Sequence, residues 1–244
     1  MFQSIIHRSI ILVGLLGSLS AEIIDSIKIC AIRVSFNEDD LVSTTGRGNF
    51  LLESEGIDCG SYTIDPAPHN KDYFESQIMA LNSYFRSVSY DKFGINMEGS
   101  VVFPSSQNGS YKLSNTMNYY NPYIENDVQE RRITELFQES IITAYQEDSI
   151  NFSSFDLIVV FHAGIGQDFS LPFLDPTPED IPSTYVDPKM ISDNLNEAGI
   201  TIGEHLIDRG IILPESQNHL LFDIAENMFG DASDPCEYQY GLTG

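Results

Sequence analysis

Phe155 to Ala163 reads FDLIVVFHA, with five consecutive apolar residues from Leu157 to Phe161. A run this short and this uniformly apolar predicts a strand buried on both faces, the place a central strand takes between layers of helix. Gly164-Ile165-Gly166 follows and predicts an abrupt end to it. Two segments can supply the covering helices. Phe74, Ile78, Leu81 and Phe85 recur at helical spacing, so a helix capped by Asn70 or Asp72 is expected to run to about Ser89. Ahead of it, Asp65-Pro66-Ala67-Pro68-His69 is a stiff, extended stop. Ile133, Leu136, Phe137, Ile141 and Ala144 form the apolar stripe of a second helix over about Asn126 to Gln146, with Arg131, Arg132 and Glu135 on its wet face.

The remaining segments are shorter. Ile27 to Phe36 (IKICAIRVSF) alternates and is rich in β-branched residues, which predicts a first strand. Val101-Val102-Phe103 reads as a short strand ended by Pro104, and Ser105 to Pro122, with Asn108-Gly109, as a loop or hairpin. Leu171 to Pro188 holds five prolines among acids and is expected to be an extended surface loop. Pro188 to Ala198 suits a short helix, and Ile200-Thr201-Ile202 with Gly210 to Leu213 a small hairpin. There is no internal repeat and no low-complexity linker. Strands alternating with helices predict one α/β (α+β) domain, a mixed twisted sheet with flanking helices.

Composition narrows the function. With 42% hydrophobic and 11% aromatic residues among 244, the chain has the material for a packed core. Twelve Lys+Arg against 36 Asp+Glu give a net charge of −24, which argues against nucleic acid and anionic membrane surfaces as partners. Residues 1–20 read as a secretory signal peptide. His7 and Arg8 precede a short apolar core from Ile10 to Leu16, and Ser18 and Ser20 place small residues where a signal peptidase reads. Cleavage is expected after Ser20, with Ala21 the second choice. That apolar run is shorter than the roughly 20 residues a membrane-spanning helix needs, and no later segment reaches that length. The expected location is outside the cytoplasm, secreted or in the cell envelope, with residues 21–244 as a single domain.

Export permits a disulfide among Cys30, Cys59 and Cys236. Cys30 lies in the first strand and is expected to be a buried core residue. Cys59 and Cys236, both in loop-like surroundings, are the expected pair. No Cys-x-x-Cys spacing occurs, so a cysteine zinc site is not predicted. Gly164-x-Gly166 after a strand lacks the third glycine and the helix start of a dinucleotide fingerprint. Neither a Gly-x-Ser-x-Gly elbow nor a phosphate-binding loop of the Walker type is present. The five histidines, His7, His69, His162, His205 and His219, include no pair four apart, the spacing that turns two imidazoles to one helix face. No catalytic residue or metal ligand is therefore assigned. His162, Gly164, Gly166 and Asp168 are the cleft candidates, because α/β sites gather where strands end. The plainer expectation for His162 is a half-buried, hydrogen-bonded histidine. Glu179, Asp180 and Asp187 are the acids available to calcium, and a solvated acidic face is the competing expectation. Asn108-Gly109-Ser110 and Asn151-Phe152-Ser153 match the glycosylation triplet, which matters in a eukaryotic secretory host.

Several segments in a fixed order resemble the secreted metallopeptidases of the immune inhibitor A group, family M6. They are KICAIRVSF, Thr45-Gly46-Arg47-Gly48-Asn49-Phe50, and the block DPAPHNKDYFESQIMALNSYFRSVSYDKFGI from Asp65 with its Tyr84-Phe85 pair. The Val-Phe-Pro strand at Val102, Tyr119-Tyr120, FDLIVVFHAGIGQD from Phe155, DIPSTY at Asp180 and ILPES at Ile212 complete the order. The resemblance spans about Ile27 to Gly244. It implies the N-terminal part, the upper lobe, of a zincin-like peptidase domain acting on protein or peptide substrates. It also implies a zinc-binding His-Glu-x-x-His helix just beyond Gly244, with Tyr240 to Gly244 as the cap and first turn of a helix. On this reading either the sequence is a fragment of a longer product or the gene has lost its catalytic half. The rival class is a non-catalytic exported module that binds protein or sugar.

Overall fold

The computed structural model describes residues 25–45, 47–53, 66–123, 126–167 and 177–216. The expected signal peptide, the Cys59 and Cys236 pair and Asp168 lie outside these residues.

A six-stranded mixed sheet is the framework. Its strands are β2 (Ile29–Ser35), β4 (Val101–Phe103), β5 (Tyr111–Lys112), β6 (Leu157–Ile165), β7 (Thr184–Val186) and β10 (Gly210–Ser216). Their order is β4, β2, β6, β10, β7, and β5 continues along β2 beyond β4. Every pairing is parallel except that of β7 with β10. The FDLIVVFHA segment supplies the central strand, as its apolar faces predict, and Val159, Val160 and Ala163 are buried in it; the strand does not stop at Gly164 as expected but runs on to Ile165, still paired with β10. Two smaller pairs flank the sheet: β1 (Asp25–Ile27) with β3 (Phe93–Ile95), and β8 (Ile200–Ile202) with β9 (His205–Ile207).

The helices are α1 (Lys71–Val88), α2 (Met117–Tyr120), α3 (Asn126–Asp148) and α4 (Pro188–Leu195). Asn70 caps α1 by accepting from the Tyr73 N–H at 3.3 Å. The predicted stripe of α3 is buried at Ile133, Leu136, Phe137, Ile141 and Ala144. On α1 only Phe74 and Ile78 are buried, and Leu81, expected inside, is 40% exposed. Arg33 is the largest fully buried side chain. It donates to the Pro104, Ser106 and Gln107 carbonyls at 2.7–2.9 Å and so anchors the loop between β4 and β5. Burial pulls its guanidinium down to about 10.

Three expectations need correction. Gly210 to Leu213 does not form a hairpin with Ile200–Ile202. It lies beside β6 with Ile211 opposite Val159, and Ile200–Ile202 pairs with β9 instead. A parallel partner is a better place for so apolar a segment, because both of its faces can then be covered. Residues 105–122 form no hairpin either: β5 runs parallel to β2 and α2 follows. Within the proline-rich stretch, Thr184–Val186 is an ordered edge strand, made possible because no proline interrupts those three residues.

Cys30 is fully buried, and burial pushes its thiol from about 9 up to about 12. A folded-state value raised in this way stabilises the fold below pH 9, and that contribution is lost as the pH rises toward 12. A thiol reagent at pH 8 is expected to leave Cys30 unmodified in the native chain and to label it in urea, as read by mass spectrometry of the digest. Labelling without denaturant contradicts this placement.

Candidate functional site

Parallel strands β2, β6 and β10 end together, and the loops leaving them form one rim of the sheet. The side chain that organises this rim is Glu215, near the end of β10. Between the pairs Pro214–His162 and Ser216–Ile165 the register slips, so that β6 carries one residue more than β10. Gly164 absorbs the extra residue with φ +90°, as a bulge requires. The bulge brings the Gly164 N–H to one Glu215 oxygen at 2.8 Å. The other oxygen accepts from the Leu51 N–H at 2.6 Å and from His69 Nδ1 at 2.7 Å. His69 and Glu215 are both buried. The Tyr73 ring stacks on His69 with centroids 4.3 Å apart, and its hydroxyl donates to the Glu215 carbonyl at 3.2 Å. One carboxylate thus ties the loop after β2, the start of α1 and the end of β6 to β10.

A second carboxylate fixes the approach to the edge strand. Asp180 is fully buried and accepts from the Thr45 N–H and from Thr45 Oγ1, both at 2.6 Å. Its neighbour Glu179 accepts from Ser43 Oγ and donates its N–H to the Ser43 carbonyl at 2.9 Å. Asn121 Nδ2 donates to the Asp180 carbonyl, and Gln129 Nε2 of α3 donates to Asn121 Oδ1. Ile181 then bridges Gly166. From this anchored corner the chain enters β7, where Tyr185 is 56% exposed. Among the described residues no strand pairs with the outer edge of β7.

The predicted cleft residues take several places. His162 sits inside the core rather than half-buried. Its Nδ1–H donates to the Ala163 carbonyl at 2.9 Å, and its ring lies 6.1 Å from that of Phe36. Gly164 is the bulge, and the Gly166 N–H donates to the Ser216 carbonyl at 3.0 Å. Of the acids weighed for calcium, Asp187 caps α4 through the Met190 N–H at 2.7 Å, and Glu179 and Asp180 hold the loop at Ser43 and Thr45. Their oxygens face different partners and do not converge. Asn108 and Asn151, the glycosylation candidates, are both exposed. Glu215 and His69 were not singled out by sequence reasoning. The available signal was an acid continuing an apolar strand at Leu213-Pro214-Glu215, but its partner lies 146 positions away.

Zinc does not fit the described residues. His69 is engaged with Glu215, His162 lies inside the sheet, and His205 is an exposed residue of β9. Among the described residues no three His, Cys, Asp or Glu side chains converge as a metal site. No described helix is long and apolar enough to cross a membrane. No protein family, characterised protein or solved structure matches the chain.

Proposed function

We propose that this chain is the N-terminal part, the upper lobe of a zincin-like domain, of an exported M6-like zinc metalloendopeptidase. The observation that carries the reading is the ordered series of M6-like segments, five of which supply strands β2, β4, β6, β7 and β10 of one mixed sheet with a single antiparallel edge strand. In this reading β7 gives its outer edge to an extended peptide, main chain to main chain, as edge strands do for peptide ligands. Asp180 and Glu179 hold the corner before β7, so that edge is in place before a substrate arrives. Among the described residues no three His, Cys, Asp or Glu side chains converge as a metal site, and no step of the hydrolysis is assigned to them.

The test begins with the gene. An in-frame His-Glu-x-x-His within a few tens of codons past Gly244 is expected. The 244-residue chain alone should leave casein uncut, whereas a product extended through that motif should cut it in a chelator-sensitive way. A stop codon or a helix without both histidines supports the non-catalytic binding module instead, and an extended product without activity refutes the peptidase reading. Chelator-sensitive cleavage by the 244-residue chain refutes the placement of the zinc ligands.

A further inference from the structure

The loop between β4 and β5 is gripped on both sides and bare at its tip. Arg33 holds the Pro104, Ser106 and Gln107 carbonyls, and the Lys71 N–H donates to the Gln107 carbonyl as well, at 2.9 Å. On the other side Ser110 Oγ donates to Ser35 Oγ at 2.9 Å. Between these anchors Asn108 stands exposed in a turn from Ser106 to Gly109. Its side-chain amide bonds to no group among the described residues. Other asparagines are engaged. Asn82 Oδ1 accepts from the Ile95 N–H at 2.8 Å, Asn96 Oδ1 from the Gly99 N–H at 2.9 Å, and Asn115 Nδ2 donates to Ser114 Oγ at 3.2 Å.

We propose that Asn108 is a modification site, at which the folded chain converts its own Asn-Gly link into isoaspartate and aspartate through a cyclic imide. Asn108-Gly109 is the single Asn-Gly pair in the sequence. Water or hydroxide takes the proton of the Gly109 N–H, and that nitrogen attacks Asn108 Cγ. The N–Cγ bond forms, the Cγ–Nδ2 bond breaks, and ammonia leaves with the proton. Water then opens the imide at either carbonyl. Breaking the new N–Cγ bond leaves aspartate, and breaking the original peptide bond leaves isoaspartate, with the main chain routed through Cγ. No electron is transferred, and water is the sole co-reactant. Three features of the loop favour the attack. The asparagine is open to water, and the residue after it has no Cβ to shield its nitrogen. The Gly109 N–H reaches the Ser106 carbonyl only at 3.4 Å, beyond the usual 2.7–3.2 Å of an N–H bond to oxygen, so the nucleophile is weakly held. The loop also demands glycine there, since a Cβ would lie 1.9 Å from Ser106 Oγ. This inference does not depend on the peptidase reading.

The test is ageing of the native full chain, made without N-glycosylation, at pH 6 and at pH 8. Digests are mapped by mass spectrometry with electron-transfer fragmentation, which separates isoaspartate from aspartate. Both products are expected at Asn108, forming faster at pH 8 because the attacking nitrogen must lose its proton. Over the same period Asn82, Asn96 and Asn115 should stay intact. Each converted chain gains one negative charge and should elute later from an anion exchanger. Gly109→Ala is made on a Ser106→Ala background, which removes the hydroxyl that the new Cβ would strike. The double variant is expected to lose the conversion, and the Ser106→Ala chain to keep it. An intact Asn108 at pH 8, equal conversion at all four asparagines, or conversion that survives Gly109→Ala overturns the proposal.

Discussion

Replacing Glu215 with alanine is expected to lower the free energy of unfolding by about 3–5 kcal/mol, because three donors lose their acceptor. The magnitude follows from what the carboxylate does. It accepts from two backbone N–H groups, of Leu51 and Gly164, and from His69, in a place closed to water. Alanine leaves all three donors without that acceptor, and each buried donor so stranded costs about 1–3 kcal/mol. Glu215→Gln should be milder than Glu215→Ala, since one oxygen survives, but its amide hydrogens now face donors. A double-mutant cycle with His69→Ala should show coupling of roughly 0.5–3 kcal/mol, because the two side chains are in contact. Urea unfolding followed by circular dichroism measures all of these. A loss below about 1 kcal/mol for Glu215→Ala would mean the rim does not depend on this carboxylate.

The second large effect is expected at Gly164. Alanine there must keep φ near +90°, a conformation that costs an L-residue about 1–3 kcal/mol. Its Cβ would also lie 2.4 Å from Met117 Cε and 2.9 Å from the Thr45 carbonyl. The methionine can swing aside, but the carbonyl belongs to the loop that Asp180 holds, so the backbone itself must shift. Overpacking of this kind adds about 1–3 kcal/mol. Together these predict a loss of about 2–6 kcal/mol, with each kcal/mol lowering the Tm by roughly 2–4 °C in a domain of this size. Gly203→Ala is the internal control. It too has positive φ, at +59°, but nothing stands within 4 Å of a Cβ there, so only the roughly 1–2 kcal/mol of strain applies. Equal losses at the two glycines would show that the crowding at Gly164 is not felt.

The candidate site was less legible than the fold because its members are far apart in the chain. His162 stood out as a histidine ending an apolar strand, yet the bulge at Gly164 lies beyond it and leaves its ring in the core. Asp180 and Glu179 read as solvated acids of a proline-rich loop. Their partners Thr45 and Ser43 come from the loop after β2, and nothing near them in the sequence signals that contact. Asp187 is the exception: an acid directly before Pro188 and a helical segment is a cap by local rules, and it caps α4.

By itself the sequence determined the elements whose signals are local. Apolar runs set the central strand, heptad-like spacing set α1 and α3, and Asn70 set where α1 begins, because period and capping depend on residues within a few positions of one another. Only the tertiary structure decided which strand lies beside which. Gly210–Ser216 has the same pattern whether it turns back on Ile200–Ile202 or runs along β6. The choice rests on pairing with β6 and burying Gly210 and Ile212 on one face, and that sets Ile211 opposite Val159, 52 positions back, and Gly210 against Phe137, 73 positions back. The same holds for Leu81 on α1: its helical spacing puts it with the apolar residues, yet it is 40% exposed because α1 packs mainly against β3 and β4.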